Sequence, residues 1–144
     1  MERLFFEDVE VGAEIPALVN KVDLPQLFRY SAATWNFFLL HLEKEYAKKN
    51  GFKDANIHAS FYGAFFAKMM TNWIGDPGRL KKLRYKVTVM GFPGDTLFCK
   101  GKVVKKYEES GENLVDCDIW VENQHGVEVA PASVTVSLLS KKVQ

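Results

Sequence analysis

The feature that most constrains this fold is a helix-length run, residues 58–73, in which Lys68 is the only fixed charge. A helix that is apolar nearly all the way round is normally a buried one. After it, three segments alternate apolar and polar residues, and a fourth does so more loosely, as strands with one buried face do. The simplest arrangement is an α+β fold in which an antiparallel sheet wraps around a central helix of about residues 58–74.

Composition narrows the class of protein. The 144 residues suit a single domain spanning 1–144. Hydrophobic residues make up 47% of the chain and charged residues 26%, which excludes a disordered chain and a membrane span. The net charge of +1 gives no reason to expect nucleic acid as a partner. The amino terminus lacks the features of a secretory signal, so we expect a cytoplasmic protein.

The amino-terminal third is predicted to begin with extended chain. Residues 4–16 are interpreted as a short strand and a loop, and residues 17–22 as a second strand. Asp23 then begins a helix that continues through Thr34, because aspartate caps free helix amides and Pro25 is tolerated in the first turn.

The next segment is predicted to be irregular. Residues 35–41 have no clean period of two or 3.6, which indicates a turn between helices, and irregular segments on a rigid scaffold often carry function. A short polar helix over residues 43–50 follows. Alternation then predicts strands over 83–89, 97–103 and 115–121.

The last strand begins at Val127, and its apolar set changes phase near Pro131, which indicates a bulge or an edge position. Cys99 and Cys117 fall on the two strands of one predicted hairpin, offset from each other, so we expect reduced core thiols. The basic run 79–86 is predicted to be a solvated strand face, with contact to coenzyme A phosphates as the alternative.

His41 and His58 are the best candidates for chemistry near the central helix, while His125 falls in a predicted hairpin loop. The bland alternatives are a hydrogen-bonded core histidine at position 41 and a helix-capping or loop-orienting histidine at position 58. Histidine suits proton transfer because its ordinary pKa lies near neutral pH.

The chain resembles the MaoC-like hydratases and dehydratases of the hot-dog fold. The family carries an aspartate, a histidine five positions later, and a His-Gly pair that opens the long helix. The matching positions are Asn36, His41 and the pair His58-Ala59, and residues 92–102 are also similar to a strand segment of the family. Asparagine replaces the usual aspartate, as in a branch resembling mesaconyl-CoA hydratases that has Trp-Asn or Phe-Asn there.

The resemblance implies hydration of enoyl-CoA or dehydration of 3-hydroxyacyl-CoA thioesters, in fatty acid or steroid side-chain metabolism, without a cofactor or metal. His41 would be the general base and acid, with Asn36 orienting the imidazole or the water. The amide near Ala59 would stabilise the charge on the thioester oxygen. His58, Ser60 and Tyr62 complete the implied substrate-binding set.

The resemblance also implies partners and leaves two alternative functions. The substrate would be an acyl thioester of coenzyme A or acyl carrier protein, and the chain would form a homodimer or a heteromer with another hot-dog subunit. One alternative is a non-catalytic, acyl-binding or scaffolding subunit of a heteromeric hydratase. The other is a hot-dog thioesterase, although residues 58–73 lack the carboxylate that such enzymes use. The apolar side chains of the central helix could line an acyl tunnel or be plain core.

Overall fold

The computed structural model describes residues 3–142 and has a five-stranded antiparallel sheet packed on one long helix. The strands are β1 (Glu14–Lys21), β2 (Arg79–Tyr85), β3 (Thr96–Glu109), β4 (Glu112–Glu122) and β5 (Glu128–Leu138). Their order across the sheet is β1-β3-β4-β5-β2. The predicted α+β fold, with a sheet wrapped around a central helix, is confirmed.

The described residues also form three helices and two short 3-10 turns, which lie outside the sheet. The helices are α1 (Leu24–Thr34), α2 (Lys44–Lys49) and α3 (Ala59–Ile74), and the 3-10 turns span Phe6–Asp8 and Leu39–His41. The central helix α3 therefore begins one residue after His58 and ends before Gly75, close to the predicted bounds. Within the range 3–142, no helix is long and apolar enough to cross a membrane.

The central helix supplies much of the core. Its buried residues lie at helical spacing and pack against the inner faces of β3, β4 and β5. On these strands the alternation is as predicted, since Leu97, Cys99, Val103, Cys117 and Val121 are buried. An acyl tunnel and plain core were the alternatives for the apolar side chains of this helix, and the following are buried in the core: Phe61, Tyr62, Phe65, Phe66, Met69 and Met70.

The ends of α1 show why the sequence folds this way locally. Asp23 Oδ1 accepts a hydrogen bond from the amide of Gln26 at 2.7 Å, so the predicted cap is confirmed. At the other end Trp35 adopts the left-handed conformation with φ 56°, and its amide donates to the Ser31 carbonyl. The chain turns there into the irregular segment predicted for residues 35–41.

Two strand predictions need correction. One strand, β1, with an irregularity between Ile15 and Leu18, replaces the two expected over residues 4–22. Strand β2 spans Arg79–Tyr85 rather than the predicted 83–89, since its pairing with β5 runs from Arg79 opposite Ser137 to Tyr85 opposite Ala132. The residues that follow β2 bond irregularly to β5, for example through the amide of Thr88 and the carbonyl of Val129 at 2.9 Å.

Of the two explanations predicted for the phase change near Pro131, the edge position is excluded because β5 lies between β4 and β2. The bulge is confirmed, since Val121 pairs with Ala130 and Glu122 with Glu128, which leaves Val129 of β5 as the extra residue. The two thiols are free, buried and offset, since Cys99 pairs with Val121 and Cys117 pairs with Val103. Burial raises the pKa of each thiol to about 12, so these groups are inert core residues at neutral pH.

Candidate active site

A cleft of about 360 Å³ lies beside the amino terminus of α3. It is lined by Leu40 and His41 from the irregular segment, by Asn56 and Ala59 from the approach to α3, and by residues 87–90. The second half of the segment that was predicted as a strand over 83–89 therefore follows β2 and forms part of this cleft. Apolar side chains dominate this lining, as is usual for small-molecule sites.

His41 is half-buried at the end of the 3-10 turn and makes a definite hydrogen bond. Its Nδ1 lies 2.8 Å from the carbonyl oxygen of Asn56. A carbonyl only accepts, so Nδ1 carries the hydrogen and the lone pair of the neutral ring is on Nε2. The backbone amide of Asn56 donates in turn to the Leu40 carbonyl at 3.0 Å. Asn56 therefore links the approach to α3 with the loop through two hydrogen bonds, one to Leu40 and one to His41.

His58 is fully buried and lies directly against His41. The two imidazole rings stack with centroids 3.8 Å apart and planes 22° apart. The Nε2 of His58 is 2.9 Å from Ser31 Oγ, and among residues 3–142 Nδ1 has no hydrogen-bond partner. Burial, and next the charge of His41, lower the pKa of His58 to about 4, against an opposing effect of the Asn36 backbone. The side chain does not cap α3, so its position differs from the capping alternative.

Asn36 is half-buried at the start of the loop, and its backbone amide donates to the Ser31 carbonyl at 3.0 Å. Its side-chain oxygen is 3.4 Å from the amide of Phe38, a long contact that closes a local turn. The hydrogen bond that orients His41 comes from Asn56, and among the described residues Asn36 makes none to the imidazole.

The remaining predicted residues divide into two groups. Ala59 lines the cleft at the first position of α3, and Ser60 is exposed beside it. The first amides of a helix have no acceptor within that helix, so they are available to a ligand. Tyr62 instead points into the core, where a Cβ added at Gly91 would lie 2.3 Å from its hydroxyl oxygen. Burial, and then the charge of Asp95, raise the pKa of Tyr62.

Sequence reasoning missed Asn56 and Ser31. Asn56 acts through its backbone carbonyl, for which the sequence carries no signal. Ser31 does carry a weak signal in the sequence, since it follows Leu27 by four residues and the two form the buried face of α1. A small polar residue on such a face requires a buried hydrogen-bond partner, and His58 is that partner.

Charge is scarce around the cleft. Among the described residues that line it, none is a carboxylate. Within the same part of the chain, no three His, Cys, Asp or Glu side chains converge in a way that could hold a metal ion.

The exposed Lys82 and Arg84 line a groove on the outer face of the sheet together with Asp116 and Asp118, as the solvated-face interpretation predicts.

A model of the MaoC like domain matches residues 9–124 of this sequence. The chain belongs to the MaoC-like family. The resemblance drawn from the motif residues is thereby confirmed, while membership of the Trp-Asn branch stays a prediction. No curated protein sequence matches the chain.

Solved structures agree with this assignment. (R)-hydratase PhaJ1 from Pseudomonas aeruginosa is 19% identical, with 96% of this chain and 88% of that chain covered and a TM-score of 0.87. The (R)-hydratase from A. caviae involved in PHA biosynthesis is 17% identical, with 92% and 98% covered and a TM-score of 0.84. A chain of the ChsH1-ChsH2 complex from Mycobacterium tuberculosis is 22% identical, with 90% and 98% covered and a TM-score of 0.80. These likenesses establish the hot-dog fold.

Proposed function

We propose that the chain catalyses the reversible addition of water to an enoyl thioester, with His41 as general base and acid. The observation that carries this proposal is the hydrogen bond between His41 Nδ1 and the Asn56 carbonyl. That bond leaves Nε2 unprotonated in a residue that lines the cleft. An imidazole held in one tautomer is the usual form of a histidine base.

The reaction needs few groups. Nε2 of His41 takes a proton from water while the water oxygen bonds to the β-carbon of the enoyl chain, and the electron pair of the double bond moves onto the thioester as an enolate. The imidazolium then returns the proton to the α-carbon, and the reverse order of steps eliminates water. One water molecule is consumed or released, so the chemistry balances without a cofactor.

The enolate oxygen requires hydrogen-bond donors. The amides of Ala59 and Ser60 open α3, where the positive end of the helix dipole also favours negative charge. Asn36 shapes the loop that carries His41, because its side-chain oxygen accepts from the backbone amide of Phe38. The apolar cleft residues Leu40, Val89 and Met90 suit an acyl chain attached to coenzyme A or acyl carrier protein.

Assembly with a second hot-dog subunit is part of this proposal. Trp35, Phe37, Phe38 and Leu39 are consecutive or nearly so, and all four are exposed next to the candidate site. A run of exposed aromatic residues of this kind commonly marks an interaction surface. The ChsH1-ChsH2 structure is by its name a complex of two different subunits, so the proposed partner is either a second copy of this chain or a different hot-dog subunit.

The second candidate function is a subunit that supports a catalytic partner. It is favoured by Asn36, which replaces the aspartate of the family motif and makes no hydrogen bond to the imidazole among the described residues. Such a chain would be inactive when purified alone and would become active with its partner. A thioesterase finds less support, since the described residues of the cleft include no carboxylate to activate water.

The test is hydration of a panel of enoyl-CoA substrates, beginning with crotonyl-CoA, by the purified chain. His41→Ala should lower kcat/KM by about 100-fold or more with an unchanged circular dichroism spectrum, because it removes the base. His125→Ala is the matched control, since His125 lies in an exposed turn, and should retain the parent rate. Equal activity of His41→Ala and the parent would refute the role of His41 as general base and acid.

A further inference from the structure

Ser31 and His58 do not line the cleft, but together they support the ring of His41. Ser31 and His58 are both fully buried, and their side chains are joined by the 2.9 Å contact between Oγ and Nε2. The ring of Tyr30 packs edge-on against His58, with centroids 5.1 Å apart. His58 is therefore fixed by helix α1 on one side while its face covers the ring of His41 on the other.

Ser31 connects this pair to the loop. Its carbonyl accepts the amides of both Trp35 and Asn36, which ends α1 and sets the direction in which the loop leaves. Its hydroxyl meanwhile binds His58. The same residue thus sets the start of the segment that carries His41 and holds the ring against which His41 packs.

The stack on His58 restricts a rotation of the His41 ring that its single hydrogen bond leaves open. The bond from Nδ1 to the Asn56 carbonyl fixes one atom of the His41 ring but leaves the ring free to rotate about the direction of that bond. Contact with the stacked ring of His58, whose centroid is 3.8 Å away and whose plane is tilted by 22°, opposes this rotation, because turning would separate the two faces or make them clash. Together the two contacts define both the tautomer and the plane of His41.

We propose that Ser31 and His58 are positioning residues, which hold the His41 ring in the plane that the hydration reaction requires. This inference rests on the function proposed above. His58 acts through His41 and does not touch the substrate, which differs from the substrate-binding role expected from its place in the motif.

The charge state of His58 agrees with this role. The titratable groups that face it are His41 from the loop and Tyr30 from α1. Because burial lowers the pKa of His58 to about 4, the ring is neutral at pH values where a hydratase would work. A neutral ring can stay stacked when His41 takes up a proton, whereas a charged one would repel it.

Histidine NMR tests the positioning directly, because the chain has only three histidines. In the parent protein, nitrogen-15 spectra should show His41 and His58 each in a single tautomer, with His125 as an exposed mixed reference. Ser31→Ala should convert His58 to a mixture of tautomers and shift the ring signals of His41. Ser133→Ala is the matched control, an exposed serine on β5, and should leave both sets of signals unchanged.

Kinetics test the consequence. Ser31→Ala should lower kcat by about tenfold while KM changes by less than about twofold, since the base is misplaced but the substrate surface is intact. His58→Phe, which keeps a flat ring, should retain more kcat than His58→Gln, which keeps only a polar group. A role in folding alone would not produce that order once both variants are shown to be folded.

The results separate two failures. If the parent chain is inactive on every thioester, the proposed function fails, and the NMR result still decides whether Ser31 and His58 position the ring. If Ser31→Ala leaves the signals of His41 and the tautomer of His58 unchanged, the positioning role is refuted whatever the activity. A His58→Gln variant as active as His58→Phe would also refute it.

Discussion

At the scale of single residues, the site depends on which nitrogen of each imidazole is engaged. His41 is bonded through Nδ1 and exposed to the cleft, whereas His58 is bonded through Nε2 and buried. Two histidines stacked on each other therefore have different chemistry, because one faces a ligand cavity and the other faces α1. Burial keeps the second one neutral.

This difference predicts a pH dependence of stability. The folded-state pKa of His58, about 4, lies below the ordinary value of 6.5, so the unfolded chain binds the proton more readily. Stability from this group is complete above the ordinary value and is lost as the pH falls toward the folded value. Urea unfolding should show a decrease of about 1–2 kcal/mol between roughly pH 7 and pH 5.

The control for that measurement is His58→Phe, in which the decrease should disappear. Carboxylates with a lowered pKa, such as Glu7, titrate in the unfolded chain near 4.5 and so act mainly at more acidic pH. An equal slope in the variant and the parent would show that another group causes the effect.

Asn36 gives a second prediction at this scale. Asn36→Asp should preserve or raise kcat/KM, because a carboxylate can still accept the amide of Phe38 and adds a charge that stabilises a protonated His41. The measurement is the hydration rate across a pH series. A loss of about tenfold or more would instead mean that the amide group of asparagine has its own role.

At the scale of elements, close packing between neighbours decides which positions accept a side chain. A Cβ at Gly101 of β3 would lie 2.5 Å from Ile119 Cγ2 and 3.1 Å from the carbonyl of Asp118. A Cβ at Gly63 of α3 would lie 2.6 Å from the hydroxyl of Tyr85, which is at the partly exposed end of a side chain. The first neighbour is rigid and the second can move.

Gly101→Ala should therefore destabilise the protein by about 1–3 kcal/mol, because a branched side chain and a strand backbone cannot both give way. Gly63→Ala is the matched control, and should be neutral or slightly stabilising because alanine favours a helix interior. Urea unfolding of both variants checks the pair. Equal losses would mean that Tyr85 is held as rigidly as Ile119.

At the scale of the whole molecule, the candidate site lies where three separate parts of the chain meet. The 3-10 turn brings His41, the approach to α3 brings Asn56 and Ala59, and residues 87–90 come from beyond β2. The loop before His41 also exposes Trp35, with 84% of its surface accessible and a backbone conformation that disfavours bulky residues. A helix end of this type ordinarily prefers glycine.

The proposed assembly predicts an effect at this surface. Phe37→Ser should lower the fraction of assembled protein in sedimentation velocity while leaving the unfolding free energy of the chain nearly unchanged, because Phe37 is half exposed. Val11→Ser, which changes an exposed apolar residue remote in sequence from the loop, is the control. Unchanged assembly in Phe37→Ser would exclude Phe37 from the interface.

Local pattern determined the elements that depend on one face being buried. The central helix, the β3–β4 hairpin and the Asp23 cap were predictable, since each follows from periodicity or from a cap within a few residues. The motif positions Asn36, His41 and His58 supported the family assignment, which the match over residues 9–124 confirms. The family resemblance also implied that His41 and Ala59 belong to one site, and both line the cleft.

Tertiary structure alone decided the partners within the site. The bond from His41 to the carbonyl of Asn56, the stack of His41 on His58 and the contact of His58 with Ser31 join pairs of residues that are 15, 17 and 27 positions apart along the chain. Contacts of that kind depend on how helices and loops pack, and a backbone carbonyl leaves no mark in the identity of its side chain. The sequence by itself named the candidate histidine, and only the packing of the loop, α1 and the approach to α3 decided what holds it.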